Sequence, residues 1–380
     1  MKVLAIYDYP PSPGGLATQG QLLCRGLEEL GVDVHSANLE SPQEKEWYYN
    51  WFKPDVVVGV GFWGHAPHLL MHPLRCGMKP VPWLVADGYV AAYNDALNAL
   101  DLILVTSNWV KETYIRDGIN GDIIEVLPVG CDTGNFIPRD RSDPKVKSIR
   151  EALGVADDQL MILTVGGDAA SKGAREVMQA LAMIDQEAPD WKYICKVWPQ
   201  PRTTLQNQVD LQLAQELGID KKVTYTANVV TRNFMPYLLA ACDIYAAPSR
   251  LEGFGMIQVE ANACGKPVIA IDAMAFSDTM VHGKTALLAS VAEEIKISET
   301  VLGEGHGFAE PRHIILPYLR TFDYRASVPD IGEHLLTLMR DPALRDRMGM
   351  AGREHVVELF NYQKVAKRFV KLMSTRLGIE

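Results

Sequence analysis

Strand-length apolar runs alternate with helix-length segments along this sequence, and the series is run twice. "KVLAIYDY" opens it, "PPSPGG" makes a loop, and Leu16 to Leu30 has the spacing of an amphipathic helix closed by Gly31. "DVVVGVG" (55–61), "VPWLVAD" (81–87), "LILVTS" (102–107) and "IEVLPVG" (124–130) follow as buried strands. The series restarts with "MILTVGG" (161–167), a helix from about Ala174, "WKYICKVW" (191–198), "KVTYTAN" (222–228), "CDIYAAPS" (242–249) and "KPVIAID" (266–272). Such alternation specifies parallel sheets covered by helices, here in two domains. The charged, proline-interrupted "PRDRSDPKVKS" (138–148) is the expected linker between them. Ligands of such sheets bind beyond the carboxyl ends of the strands, and the cleft between two such domains is the expected site.

Size agrees with two domains, since 380 residues exceed the length at which a single core stops growing. The net charge of −10 is shared equally by residues 1–150 and the remainder, which disfavours a nucleic-acid partner and docking on anionic lipid. Six cysteines (24, 76, 131, 195, 242 and 264) stand singly, with no paired spacing for zinc or redox work. That usage suits a reduced cytoplasm, and no metal is expected. "MKVLAIYDYP" reads as a strand rather than a signal peptide, and no apolar run approaches the roughly 20 residues that span a bilayer.

The most informative stretch is "SRLEGFGMIQVEANACGKPV", Ser249 to Val268. An apolar strand ends in Pro-Ser, a Gly-Phe-Gly turn follows, and Met256, Ile257, Val259, Ala261 and Ala263 suit a buried helix. A helix opening from such a turn points N–H groups and the positive end of its dipole at an anion. Two carboxylates, Glu252 and Glu260, bracket the turn. Beside an anion each needs a separate task, such as gripping hydroxyls or facing a cationic centre.

These motifs resemble the retaining, family-four glycosyltransferases (glycosyltransferase group 1 type). The resemblance rests on "VGGDAASKG" (165–173), "ACDIYAAPSRLEGFGMIQVEANACGKPVIA" (241–270) and "HGKTALL" (282–288), with "PSPGGLA" and "LPVGCDTGNFIP" (127–138) in the first half. It implies the GT-B fold, two facing Rossmann-like domains with parallel sheets and a cleft between them. The first domain is expected at 1–140 plus 361–380, with a C-terminal helix crossing back. The nucleotide-sugar domain is expected at 149–360, with an atypical insertion at about 290–330.

The resemblance also implies roles. Glu260 faces the ribose of a nucleotide-diphosphate sugar, and Glu252 lies by the donor sugar, where positive charge develops. The diphosphate is held by the N–H groups of Gly255, Met256 and Ile257, with Gly253, Phe254 and Gly255 forming the turn. Lys172 stabilises the departing phosphate without a metal. An arginine usually shares that work, but Gly167 stands at its place here, with Lys196 and Arg250 as candidate substitutes. Gly14 and Gly15 bring backbone near the donor phosphate and acceptor. Asp87 ends its strand where the family commonly has a histidine; it is an acceptor contact, a base or a plain loop aspartate.

The expected partners are thus a nucleotide sugar and an acceptor whose identities the sequence leaves open. Alternatives from other classes are a non-catalytic sugar-nucleotide-binding protein and a sugar-nucleotide epimerase of the same fold. "GVGFWG" (59–64) with Asp87 mimics a dehydrogenase fingerprint, but two prolines follow its last glycine and no helix is expected there. Between "TALL" and "LLTLMRDP", the segment from Ala289 to His334 exceeds the connection that the family needs. It is expected to shape acceptor choice or a homo-oligomer contact.

Overall fold

A computed structural model describes residues 1–86 and 88–379, so Asp87 lies outside the described residues. The chain divides into two compact units. Met1–Asp132, Ile295–Phe322 and Leu359 onward make unit 1, and Thr133–Glu294 with Asp323–Glu358 make unit 2.

Unit 1 is built on a six-stranded parallel sheet of order β2-β1-β3-β4-β5-β6. Its strands are β1 (Lys2–Tyr7), β2 (Asp33–Asn38), β3 (Val56–Phe62), β4 (Pro80–Val85), β5 (Ile103–Val105) and β6 (Ile124–Val126). Val3, Leu4, Ala5 and Ile6 in β1, and Val56, Val57 and Val58 in β3, are wholly buried, as continuous apolar strands covered on both faces must be. The helices are α1 (Gly15–Glu29), α2 (Pro42–Trp51), α3 (His72–Arg75), α4 (Asn94–Asn98) and α5 (Asn108–Arg116). Ser41 and Ser107 cap α2 and α5, their hydroxyls accepting the N–H groups of Glu44 and Val110. After the would-be fingerprint, Trp63–His65 form a 3₁₀ turn and Pro67–Met71 a π-helical turn in place of an α-helix.

Unit 2 repeats the plan with order β12-β11-β10-β7-β8-β9, again parallel. Here β7 is Leu160–Val165, β8 Trp191–Val197, β9 Val223–Ala227, β10 Ile244–Ala246, β11 Val268–Ile271 and β12 Ala286–Ala289. Its helices are α6 (Pro144–Ala152), α7 (Ala174–Ile184), α8 (Pro201–Glu216), α9 (Met235–Ala241), α10 (Met256–Ala263), α11 (Phe276–Thr279), α12 (Val328–Arg340) and α13 (Pro342–Leu359), the last running to the unit boundary. Strands β8 and β9 extend the sheet on one side of β7, whereas β10 to β12 extend it on the other. The switch point therefore lies between the carboxyl ends of β7 and β10, where a ligand crevice opens in sheets of this kind. In unit 1 the corresponding point lies between β1 and β3, at the loop that carries Gly14.

Two expectations about organisation are corrected. Residues 138–148 are not a linker but part of unit 2. The Asp143 carboxylate accepts the N–H groups of Lys145 and Val146, and Pro144 occupies the first turn of α6, so the charged, proline-broken stretch is a helix start. The insertion is likewise not an elaboration of the second domain. It forms two long strands, β13 (Val291–Leu302) and β14 (Arg312–Ala326), paired as a two-stranded ribbon whose body, Ile295–Phe322, belongs to unit 1. The short connection 303–311 requires the strands to fold back antiparallel.

The ribbon is anchored in the unit 1 core. Leu302 and Leu316 are buried in the same cluster as Trp63, Leu84 and Tyr89. The Tyr89 and Thr300 hydroxyls are 2.9 Å apart, and Tyr93 Oη donates to the His306 carbonyl at 2.7 Å. Arg320 Nε donates to Asp117 Oδ1 at 2.6 Å, with side chains 7% and 2% exposed. Gly307 has φ +77°, and a Cβ there would lie 2.4 Å from Pro67 Cγ, so both conformation and close approach demand glycine. The last helix, α14 (Tyr362–Leu377), also belongs to unit 1: it packs on α1, Tyr362 Oη donates to Glu29, and a Cβ at Gly26 would meet that of Ala366 at 2.7 Å.

Candidate functional site

Two loops leave the switch point of unit 2. The loop after β7 carries Gly166, Gly167 and Lys172; the loop after β10 carries Pro248, Ser249 and Glu252. They are pressed together at Gly173, which has φ +79° and whose missing Cβ would lie 2.3 Å from the Pro248 carbonyl oxygen. The Arg250 N–H donates to the Ser171 carbonyl at 2.9 Å, tying the loops again. Gln258, on the first turn of α10, donates from Nε2 to the Ala247 carbonyl and to Ser249 Oγ, both at 3.1 Å. This buried amide fixes the turn against its own helix.

That packing brings Lys172 and Glu252 together. The ammonium lies 2.8 Å from Glu252 Oε2, with side chains 25% and 19% exposed. The pair is thus reachable by a ligand yet partly desolvated, where a charge-assisted hydrogen bond gains strength. Gly255, with φ +82°, is the residue before α10 and, being glycine, has no side chain to cap that helix end. Phe254 is buried beneath the turn, whereas Met256 and Ile257 are half-buried at the helix start. A helix start led by glycine, following shortly after Glu252 and its partly exposed lysine partner, is an anion-binding arrangement.

Glu260 is a different case. Its side chain is wholly buried, and its carboxylate accepts from Arg232 Nη2 in an ion pair. The Arg232 guanidinium also lies 4.6 Å from the centre of the Phe136 ring. Any ribose that reaches Glu260 must therefore displace or share Arg232, a residue that sequence reasoning missed. No local pattern marks it: it sits in the irregular segment between β9 and α9, 28 positions before its partner.

At Gly167 the Trp198 N–H donates to the carbonyl at 3.0 Å, and a Cβ would meet the indole at 3.3 Å. A long cationic side chain in that place would have to move the tryptophan. Of the candidate substitutes, Arg250 is engaged: its Nη2 donates to the buried Glu176 at 2.8 Å. Lys196 is buried on β8 beside Val165, and burial pulls its pKa below the usual lysine range.

Gly14 and Gly15 belong to unit 1, at the start of α1. Gly14 is extended, with φ 176°, and nothing lies within 4 Å of a Cβ built on Gly15. The fold itself does not require glycine at position 15. His65 and His68 follow β3, and burial lowers the pKa of both. One set of three residues in metal-ligating proximity occurs among the described residues, Glu46, His72 and Cys76 in unit 1. None of the three helps to form the Lys172–Glu252 site.

Comparison with known proteins bears on this geometry. Residues 145–302 match the family described as glycosyl transferases group 1. The D-inositol 3-phosphate glycosyltransferase of Xylanimonas cellulosilytica is 28% identical over 208 residues, which are 54% of this chain and 49% of that protein. The chain thus spans about half the length of that relative. A mannosyltransferase of Mycolicibacterium smegmatis, described as GDP-mannose-dependent and acting on phosphatidylinositol monomannoside, is 23% identical across 84% of this chain and 77% of its own length. Among solved structures, a glycosyltransferase from Rickettsia africae superposes with TM-score 0.77 at 14% identity, covering 100% of this chain and 99% of that one. Anabaena HepE, solved with UDP and glucose, gives 0.74 at 16% identity, covering 99% and 100%. No helix among the described residues is long and apolar enough to cross a membrane. The family match falls mostly on the unit that carries the Lys172–Glu252 pair; that stretch is similar to the group 1 glycosyl transferases, and the chain has the GT-B fold of the solved structures.

Proposed function

We propose that this chain moves a sugar from a nucleotide-diphosphate sugar to an acceptor hydroxyl with retention of anomeric configuration. The observation that carries the reading is the Lys172–Glu252 pair at the switch point of unit 2, with the glycine-led start of α10 following shortly after Glu252. The Lys172 ammonium and the helix end take up the charge that grows on the departing diphosphate, a task met here without calling on a metal ion. Glu252 accepts hydrogen bonds from the donor sugar and favours the oxocarbenium-like transition state. Glu260 grips the ribose once Arg232 yields. The acceptor hydroxyl attacks from the face that the leaving group vacates, its proton passing to the leaving phosphate.

The sugar-nucleotide vocabulary of the relatives supports the class of donor, since one is named for GDP-mannose and a structural neighbour holds UDP and glucose. Acceptor choice is assigned to the ribbon, because its tip reaches the carboxyl end of β3. The His306 ring lies 5.3 Å from that of Trp63, and Phe308 stacks on Tyr93 at 5.4 Å. A panel of nucleotide sugars and nucleoside diphosphates read by thermal stabilisation tests the donor assignment. One base should stabilise the protein well above the others, and proton NMR of the first transfer product should show the donor's anomeric configuration. Inversion would remove the retaining assignment, and stabilisation by none of the panel would remove the donor.

A further inference from the structure

Away from the donor site, α2 and α3 of unit 1 bring a soft, a borderline and a hard ligand, Cys76, His72 and Glu46, into one place. His72 and Cys76 stand one helical turn apart: the Cys76 N–H donates to the His72 carbonyl at 3.2 Å, so both side chains share a face. Glu46 reaches that face from α2, its Oε1 3.2 Å from His72 Nε2. One ligand atom from each of the three lies within 4.8 Å of the others. Ligands of a tetrahedral zinc ion stand roughly 3.3–3.8 Å apart, by the bond lengths of about 2.0–2.3 Å that such sites use. Rotation of the half-buried Cys76 side chain and the exposed Glu46 carboxylate spans the difference.

The surroundings leave these groups available. His72 is 8% exposed, and its Nδ1 is buried without a hydrogen-bond partner, so among the described residues Glu46 is the imidazole's one hydrogen-bond partner. The Tyr49 ring lies 6.0 Å from it, tilted by 37°. Lys45, wholly buried nearby, is occupied elsewhere, its Nζ donating to the carbonyls of Leu39 at 2.6 Å and His68 at 3.3 Å. The π-helical turn Pro67–Met71, immediately before His72, is the kind of irregularity that re-aims side chains at ligand sites.

We infer that Glu46, His72 and Cys76 form a binding site for a divalent transition-metal ion, zinc being the best fit to one sulfur, one nitrogen and one oxygen ligand. Thiolate and carboxylate together neutralise the ion, and water completes the four-coordinate shell. Binding releases the Cys76 thiol proton to solvent and braces α2 against α3.

Cobalt(II) titration of the chelator-stripped, reduced protein tests this. One equivalent should give a thiolate-to-cobalt charge-transfer band in the near ultraviolet with intense visible bands of a four-coordinate ion, and added zinc should bleach both. Cys76→Ser should abolish the charge-transfer band while circular dichroism stays unchanged. Glu46→Gln and His72→Gln should each weaken cobalt binding by about tenfold or more. Cys24→Ser, on α1 of the same unit, should leave the spectrum intact. Absence of the band at stoichiometric cobalt, its persistence in Cys76→Ser, or undiminished affinity in both other variants would overturn the assignment.

Discussion

Nζ of Lys172 stands 2.8 Å from Oε2 of Glu252, although 80 positions separate them in the chain. Each neutralises the other, and in the proposed reaction a diphosphate would compete with Glu252 for the ammonium. Glu252→Gln should lower kcat with a smaller effect on donor KM, and Lys172→Ala should lower kcat most for donors with poorer leaving groups. Each loss should reach about tenfold, since charge-assisted hydrogen bonds run to roughly 1.5–3 kcal/mol. Because the two act as a pair, the double variant should lose much less than the product of the single losses. Steady-state kinetics on the four proteins reads this, and fully multiplicative losses would separate the roles.

Glu260 and Arg232 form a second pair with a different signature. A ribose contact works equally in ground and transition states, so Glu260→Gln should raise donor KM about tenfold with kcat nearly unchanged. Arg232→Ala strips a cation from a wholly buried carboxylate and should destabilise unit 2 by roughly 2–3 kcal/mol, tempered by the arginine's partial exposure. Urea unfolding checks the second figure, and unchanged donor affinity in Glu260→Gln would remove the ribose contact.

The ribbon gives a prediction about stability. Arg320→Met would leave Asp117, 2% exposed, with Arg116 and the Val90 N–H as its remaining partners. A loss of about 2–3 kcal/mol is expected in denaturant unfolding of unit 1. Replacing 293–327 by a short linker should lower thermal stability further, since Leu302 and Leu316 leave the core, while sparing donor hydrolysis and damaging transfer. Transfer that survives intact would end the ribbon's role in acceptor choice.

His65 supplies a pH dependence. Burial first, then the nearby His68 and His306, lower its pKa to about 4 from 6.5. Between those values the unfolded chain binds a proton that the folded chain refuses. Stability from this group is whole above pH 6.5 and is lost as the pH falls toward 4, by up to roughly 3 kcal/mol. Urea midpoints between pH 4 and 7 should show the slope, and His65→Phe should flatten it.

Much of this was legible in sequence for a physical reason: wholly buried parallel strands such as β3 and β7 must be apolar throughout, and the turn before α10 must carry glycine. The Lys172–Glu252 meeting followed from neither, since it depends on β10 pairing with β7 rather than on any local pattern. Arg232 was invisible for the same reason. The stretch 138–148 has the composition of a linker because proline and acids open helices as readily as they interrupt them, and Asp143-Pro144 does the former. The ribbon leaves a faint signal in Ile295 and Ile297, whose alternation marks a half-buried strand, but the core against which Ile297 packs belongs to unit 1.

The central claim is that the loops after β7 and β10 form the site where a nucleotide-diphosphate sugar is broken. Release of nucleoside diphosphate from a panel of such donors, wild type beside Lys172→Ala at saturating donor, tests it most directly. The account predicts release from at least one donor by the wild type and a loss of about tenfold or more in the variant. Equal release by the two proteins, or none from any donor, would contradict it.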